Sequence, residues 1–143
     1  MNKASTAAVL AAATLIAQAA TGGVTINGVD VADGFGDGWT NNNGIVTLQN
    51  ASATYVVAGT NTAVALFVAS NCTVVASNLT LDVSGLSGVP AFDCGTNAVT
   101  LQLWSDNNTK TNTFKGNANC AGIAVVSNAA GCASLTVTNL NAA

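Results

Sequence analysis

Three aspartates crowd one glycine-rich stretch, Asp30-Val31-Ala32-Asp33-Gly34-Phe35-Gly36-Asp37-Gly38. Carboxylates on such a loop can wrap a hard cation, and Ca2+ wants six to eight oxygen ligands. Asp30, Asp33 and Asp37 are therefore the metal candidates, and calcium is the one cofactor the sequence suggests. Their spacing is not that of an EF-hand, and a solvated turn before the first strand is the plainer reading. Sugar chemistry points elsewhere, because a flat ring covers the apolar face of a pyranose. Trp104 follows the alternating Val99, Leu101 and Leu103, so it points away from the core those residues imply. It sits beside Ser105-Asp106-Asn107-Asn108. Trp104, Asp106, Asn107 and Tyr55 are the candidate carbohydrate contacts. Trp39 is expected to cover the N-terminal end of the fold.

Catalysis has little to work with. A glycosidase needs paired carboxylates at a set separation, whereas Asp82, Asp93 and Asp106 are single acids far apart in sequence. The chain has no His, and all six acidic residues are Asp and all three basic ones Lys. General acid–base options are thin, and no Ser-His or Cys-His pair exists. No enzyme is expected. So few cations also rule out nucleic-acid binding, which requires clustered Lys and Arg against phosphates.

These groups need a scaffold, and the chain reads as strands. Its 143 residues suffice for one domain with a real core. Period-two runs recur: Ile45–Leu48, Thr54–Val57, Leu79–Val83, Val99–Leu103 and Leu135–Thr138. Each is bounded by Gly, Asn, Ser or Asp. Past residue 20, no helical apolar period persists over three turns. Three segments also repeat: Ala65 to Asn71 then Thr73-Val74-Val75, Ala91 to Asn97 then Val99-Thr100-Leu101, and Gly122 to Asn128 then Leu135-Thr136-Val137. Each is a short apolar strand, a small-residue corner ending in Asn, and an alternating strand. The spacing is roughly 25–31 residues, long enough for one three-sided coil. Stacked coils bury one continuous inward column and bond strand to strand. The expected fold is all-β, a short right-handed parallel β-helix of about three coils, with a β-sandwich as the alternative. Leu66, Phe92 and Ile123 should stack in one inward column, and Val75, Leu101 and Val137 in another.

The first residues differ. A positive start at Lys3, an apolar run from Ala7 to Ala17 and the small-x-small site Ala17-Gln18-Ala19 read as a secretory signal. The run is too short for a confident membrane span, so none is expected in the mature chain. Residues 1–19 are thus the signal-like helix, 20–43 an N-terminal cap or linker, and 44–143 the β-helix domain. Secretion suits the four cysteines, Cys72, Cys94, Cys120 and Cys132, as disulfide candidates. Four cysteines permit three pairings, and strands about 4.8 Å apart favour pairing between adjacent coils. Buried free thiols are the alternative. Asn50, Asn71, Asn78 and Asn107 each open an N-x-S/T sequon.

Particular motifs carry a family resemblance. Gly38-Trp39-Thr40, Gly44-Ile45-Val46-Thr47-Leu48 and Thr54-Tyr55-Val56-Val57-Ala58-Gly59 are among them. So are Asn78 to Gly85, Ala91-Phe92-Asp93, Asn112 to Gly116 and Cys120-Ala121-Gly122. Together they resemble the carbohydrate-binding-domain β-helices of bacterial surface proteins, across roughly residues 36–138. The resemblance implies polysaccharide binding or surface adhesion, sometimes with calcium. The sequence-level expectation is a secreted or cell-surface, non-catalytic, adhesive module. The rival is a self-assembling filament or matrix subunit stacking end to end, since a short solenoid exposes strand edges. Ice binding on a threonine-rich face is a third possibility, supported only by Thr111-Asn112-Thr113 and Thr136-Val137-Thr138.

Overall fold

Alternating runs become strands because their apolar halves share an interior. The computed structural model describes residues 23–105, 111–128 and 131–140. The signal-like segment lies outside those residues. Two hairpins come first: β1 (Val24–Ile26) with β2 (Val29–Asp30), then β3 (Phe35–Gly36) with β4 (Trp39–Asn42). A single 3-10 turn, Val31–Asp33, joins them. Next come β5 (Ile45–Leu48), β6 (Thr54–Asn61), β7 (Ala65–Val68), β8 (Cys72–Asp82), β9 (Phe92–Asp93) and β10 (Ala98–Trp104). The chain continues through β11 (Thr113–Lys115), β12 (Ile123–Ala124), β13 (Ser127–Asn128), β14 (Gly131–Cys132) and β15 (Ser134–Asn139).

The protein is all-β, built on two mixed sheets. One runs β15-β10-β8-β6-β1-β2, with β11 also on β8; the other runs β12-β9-β7-β5-β4-β3. From β5 to β10, successive strands alternate between the two. Within each sheet the later strands pair in parallel: β5 with β7, β7 with β9, β9 with β12, and likewise β6, β8, β10 and β15. Among the described residues, antiparallel pairs are confined to the N-terminal hairpins, which lie against β6 and β5, and to the β13–β14 ribbon. This corrects the β-sandwich alternative, whose sheets are antiparallel.

The registers define the core. Val46, Leu66, Phe92 and Ile123 are successive partners across the smaller sheet, as the repeat predicts. In the larger sheet the column is Tyr55, Val74, Leu101 and Val137. Leu101 and Val137 pair as expected, but Val75 instead pairs with Gln102 and faces outward, so the expected column was one residue out on β8 alone. A one-residue slip moves a side chain to the opposite face, which is why Val74 is buried and Val75 only half-buried. The ladder from β6 to β8 also carries a bulge after Ala58. There Asn78 adopts φ 49°, and Gly59, at φ 112°, lies where a Cβ would meet the Gly23 carbonyl.

Asparagines close the turns between strands that neighbour one another in the sheets. Asn71 Oδ1 accepts from the Ala98 amide, 27 residues on, at 2.8 Å. Asn97 Nδ2 donates back to the Val68 carbonyl at 2.9 Å. Asn112 accepts from the Leu79 amide and donates to the Trp104 carbonyl. These bonds satisfy backbone groups that the turns take out of the ladders. One ion pair, Lys115 Nζ to Asp82 Oδ2 at 2.8 Å, clips β11 to β8. The Lys115 bond first, then the Ser84 hydroxyl and after it the Ser84 amide, lower the Asp82 carboxyl to about 2.

Leu101 tests the register, being wholly buried between Val74 and Val137 partners. Leu101→Ala should cost about 2–5 kcal/mol in chemical denaturation. Leu101→Asp should not fold, because it buries an unpaired charge. The neighbouring outward change Gln102→Asp should retain a cooperative thermal transition by circular dichroism.

Candidate functional site

The outer face of the larger sheet is an ordered row of side chains. Thr54, Thr73, Thr100 and Thr136 are register partners on β6, β8, β10 and β15. Parallel strands stand about 4.8 Å apart, so their hydroxyl-bearing positions recur at that interval. Two residues along lie Val56, Val75, Gln102 and Thr138, and beyond them Ala58, Ser77 and Trp104. Past the bulge, Thr60, Thr80 and Thr113 form a second threonine row. Trp104 ends its strand with 39% of its surface exposed. Its carbonyl is held by Asn112 Nδ2 at 2.9 Å, which ties the end of β10 to the chain eight residues on.

A second feature lies on the outer face of the smaller sheet. The segment Gly88-Val89-Pro90 stands over β7 and, with Ile45, Ala65, Leu66, Phe67 and Asp93, encloses about 290 Å3. Phe67 and Asp93 are register partners on β7 and β9. Both alternate outward, between Leu66 and Val68 and between Phe92 and Cys94, all four buried. Asp93 Oδ1 accepts from the Gly95 amide at 2.8 Å, which orients the carboxylate.

The predicted residues fall unevenly on these surfaces. Trp104 faces outward as expected, whereas Asp106 and Asn107 lie outside the described residues. Tyr55 is a correction: its ring is 1% exposed and belongs to the core. Its hydroxyl donates to the Gly38 carbonyl at 2.7 Å and accepts from the Asn50 amide at 2.9 Å, leaving no platform for a sugar. Gly38 is required there, since at φ 71° a Cβ would strike Asn50 and the Tyr55 hydroxyl.

The acidic loop is described in part. Asp30 Oδ1 caps the 3-10 turn through the Ala32 amide at 2.8 Å, and Asp37 is exposed. The Asp33 side chain lies outside what is described. Among the described residues no three acidic, cysteine or histidine side chains gather as a metal site. The cysteine expectation also changes. Cys72, Cys94 and Cys120 are free thiols, the first two buried, and the Cys132 side chain is not described. Burial pushes the Cys72 thiol up. Burial first, then the charges of Asp93 and Cys72, push Cys94 up to about 11. Of the sequon residues, Asn50 and Asn71 are exposed, Asn78 sits half-buried at the bulge, and Asn107 lies outside the described residues.

Sequence reasoning passed over the threonine rows, Phe67 and the groove role of Asp93. The signal for the rows was present: aligning the coils on Val74, not Val75, brings Thr73, Thr100 and Thr136 together. No family model, curated protein or solved structure matches this chain. Fold and surface thus define an all-β protein with two threonine rows on one sheet face and one apolar groove lined by a single acid.

The thiols provide the test of this interior. A thiol, unlike a thiolate, is a poor nucleophile. In native protein at pH 8, a chromogenic disulfide reagent should leave Cys72 and Cys94 unmodified. Both should react within the mixing time once denaturant is added.

Proposed function

We propose that this chain is a secreted or cell-surface short parallel β-helix that binds polysaccharide without cleaving it. Support for the β-helix comes from strands that alternate between two sheets while each sheet pairs in parallel. Crossovers of that kind are right-handed. Secretion is supported by the signal-like composition of residues 1–19. The resemblance to carbohydrate-binding-domain β-helices of bacterial surface proteins points the same way.

One observation carries the binding proposal: Trp104 stands exposed on the same flat face as the threonine row and Gln102. An indole supplies stacking area, and the neighbouring hydroxyls and amide supply hydrogen bonds at regular intervals. An extended, flat glycan chain suits that pattern. Trp104→Ala should lower retention on an insoluble-glycan panel several-fold to about tenfold. The melting temperature should change little, because the indole is substantially solvated. No retention of the wild type on any glycan would refute the proposal.

Self-association is a second reading, favoured by the open C-terminal edge. The opposite edges are closed by two-residue strands, β2 and β3, so stacking head to tail meets a blunt end. β15 ends its sheet. Its Ser134 amide, and that of Leu140 just beyond, point to β10, so the Leu135 and Val137 amides face away. Val137 is 52% exposed, Val125, Val126 and Leu140 are also exposed, and no charged residue follows Lys115. A second copy meeting this edge gives a closed two-fold pair. Sedimentation should show a concentration-dependent dimer. The double change Thr136→Lys with Thr138→Lys should shift it to monomer while the fold persists.

A further inference from the structure

The groove on the smaller sheet has no part in the flat-face contact just described. Its floor and walls are apolar: Ile45, Ala65, Phe67, Val89 and Pro90. Asp93 is the single charged group in its lining. The Asp93 carboxylate stands beside the Phe67 ring, because the two residues are partners on adjacent strands. Gly95 lies close under that ring, where even a Cβ would approach Phe67 Cε2 to 3.2 Å. Its absence leaves the aromatic face and the acid together at the groove.

A carboxylate next to an aromatic ring, in an otherwise apolar hollow, fits a cation carried on a body with an apolar face. The ring attracts the cation through its quadrupole, and the carboxylate adds a charge-assisted hydrogen bond. An anion would be repelled, and a neutral apolar guest would leave the acid without a partner. The enclosed volume of about 290 Å3 admits a single sugar unit, not a folded segment. The backbone beneath is set: Asp93 Oδ1 is occupied by Gly95, and Oδ2 is the oxygen left to meet a ligand.

We propose that this groove binds an amino-sugar unit bearing an unsubstituted amine, with the ammonium on Asp93 and the ring's apolar face on Phe67. The proposal rests on the polysaccharide-binding reading but uses a different face of the molecule. The excess of acidic over basic residues, six to three, also favours a cationic glycan over an anionic one.

The test is calorimetric titration of the full chain with three soluble hexamers, of glucosamine, N-acetylglucosamine and glucose, and with a tri-lysine peptide. The glucosamine hexamer should bind at least about tenfold more tightly than the other three. Asp93→Asn keeps Oδ1 for the Gly95 amide and removes only the charge. It should cut glucosamine affinity by about tenfold or more with an unchanged melting temperature. Phe67→Ala should weaken binding as well, whereas Trp104→Ala should leave it intact. Equal binding of the acetylated hexamer, equal binding of tri-lysine, or an unaltered Asp93→Asn affinity would each overturn the groove assignment. Loss of the Trp104 effect on insoluble glycans, with glucosamine discrimination retained, would instead refute the flat-face contact alone.

Discussion

A parallel strand cannot satisfy its own backbone. Its amides and carbonyls point to alternate sides along the strand, so it needs one neighbour on each side. In this chain β8 gets both, from β6 and β10, and β7 gets both from β5 and β9. The constraint decides the rest. Once the ladders are in register, alternate side chains must point inward at every level. The interior then becomes two facing columns, Val46-Leu66-Phe92-Ile123 and Tyr55-Val74-Leu101-Val137. The outward positions are fixed by the same pairing. The threonine row and the Phe67–Asp93 pair are therefore consequences of the hydrogen-bond register and need no separate positioning device.

Corners are where that order is hardest to keep, and there the chain spends asparagine. Lys and Asp are scarce, so cross-coil charge pairs are few; Lys115 with Asp82 is the described example. Asparagine can donate and accept at once and tolerates positive φ. Asn97 and Asn112 each reach a backbone group of an earlier strand, Val68 on β7 and Leu79 on β8, while Asn27, Asn43 and Asn78 take left-handed conformations. Neutral corners also leave few charged groups for a salt-sensitive contribution to stability.

Much of this was legible because period-two patterning and a repeat are properties of sequence. The smaller-sheet column could be read directly, since Leu66, Phe92 and Ile123 occupy the same place in each repeat. The larger-sheet column could not, because β8 opens at Cys72, the partner of Val99, one residue before the apolar run that the repeat suggests. Choosing between Val74 and Val75 needs the strand's partner, not its own pattern. Tyr55 misled for a related reason. Its position alternates with outward Thr54 and Val56, which favours burial, yet its flat ring suggested a sugar contact. The buried hydroxyl is satisfied by Gly38 and Asn50, a contact across turns that no local pattern encodes. The Phe67–Asp93 pair was hidden too, because its members lie on different strands and meet only once register is known.

The two ends of the sheets show how the same backbone demand is met differently. At the N-terminal side, hairpins supply the missing partners. Their strands run antiparallel to β6 and β5, and each sheet finishes on a strand of two residues, β2 or β3. Trp39, Val31 and Ile26 are buried beneath this closure, so the cap is packed as well as bonded. At the other side β15 is six residues long and carries neither proline nor charge. Its Val137 occupies a core column by register yet remains half-exposed, because among the described residues no strand pairs with the outer edge of β15. An interior position left uncovered is a column interrupted, not a surface adapted to water. If copies associate as proposed, the asymmetry confines that contact to one end and leaves both the threonine face and the Phe67 groove accessible on the sides.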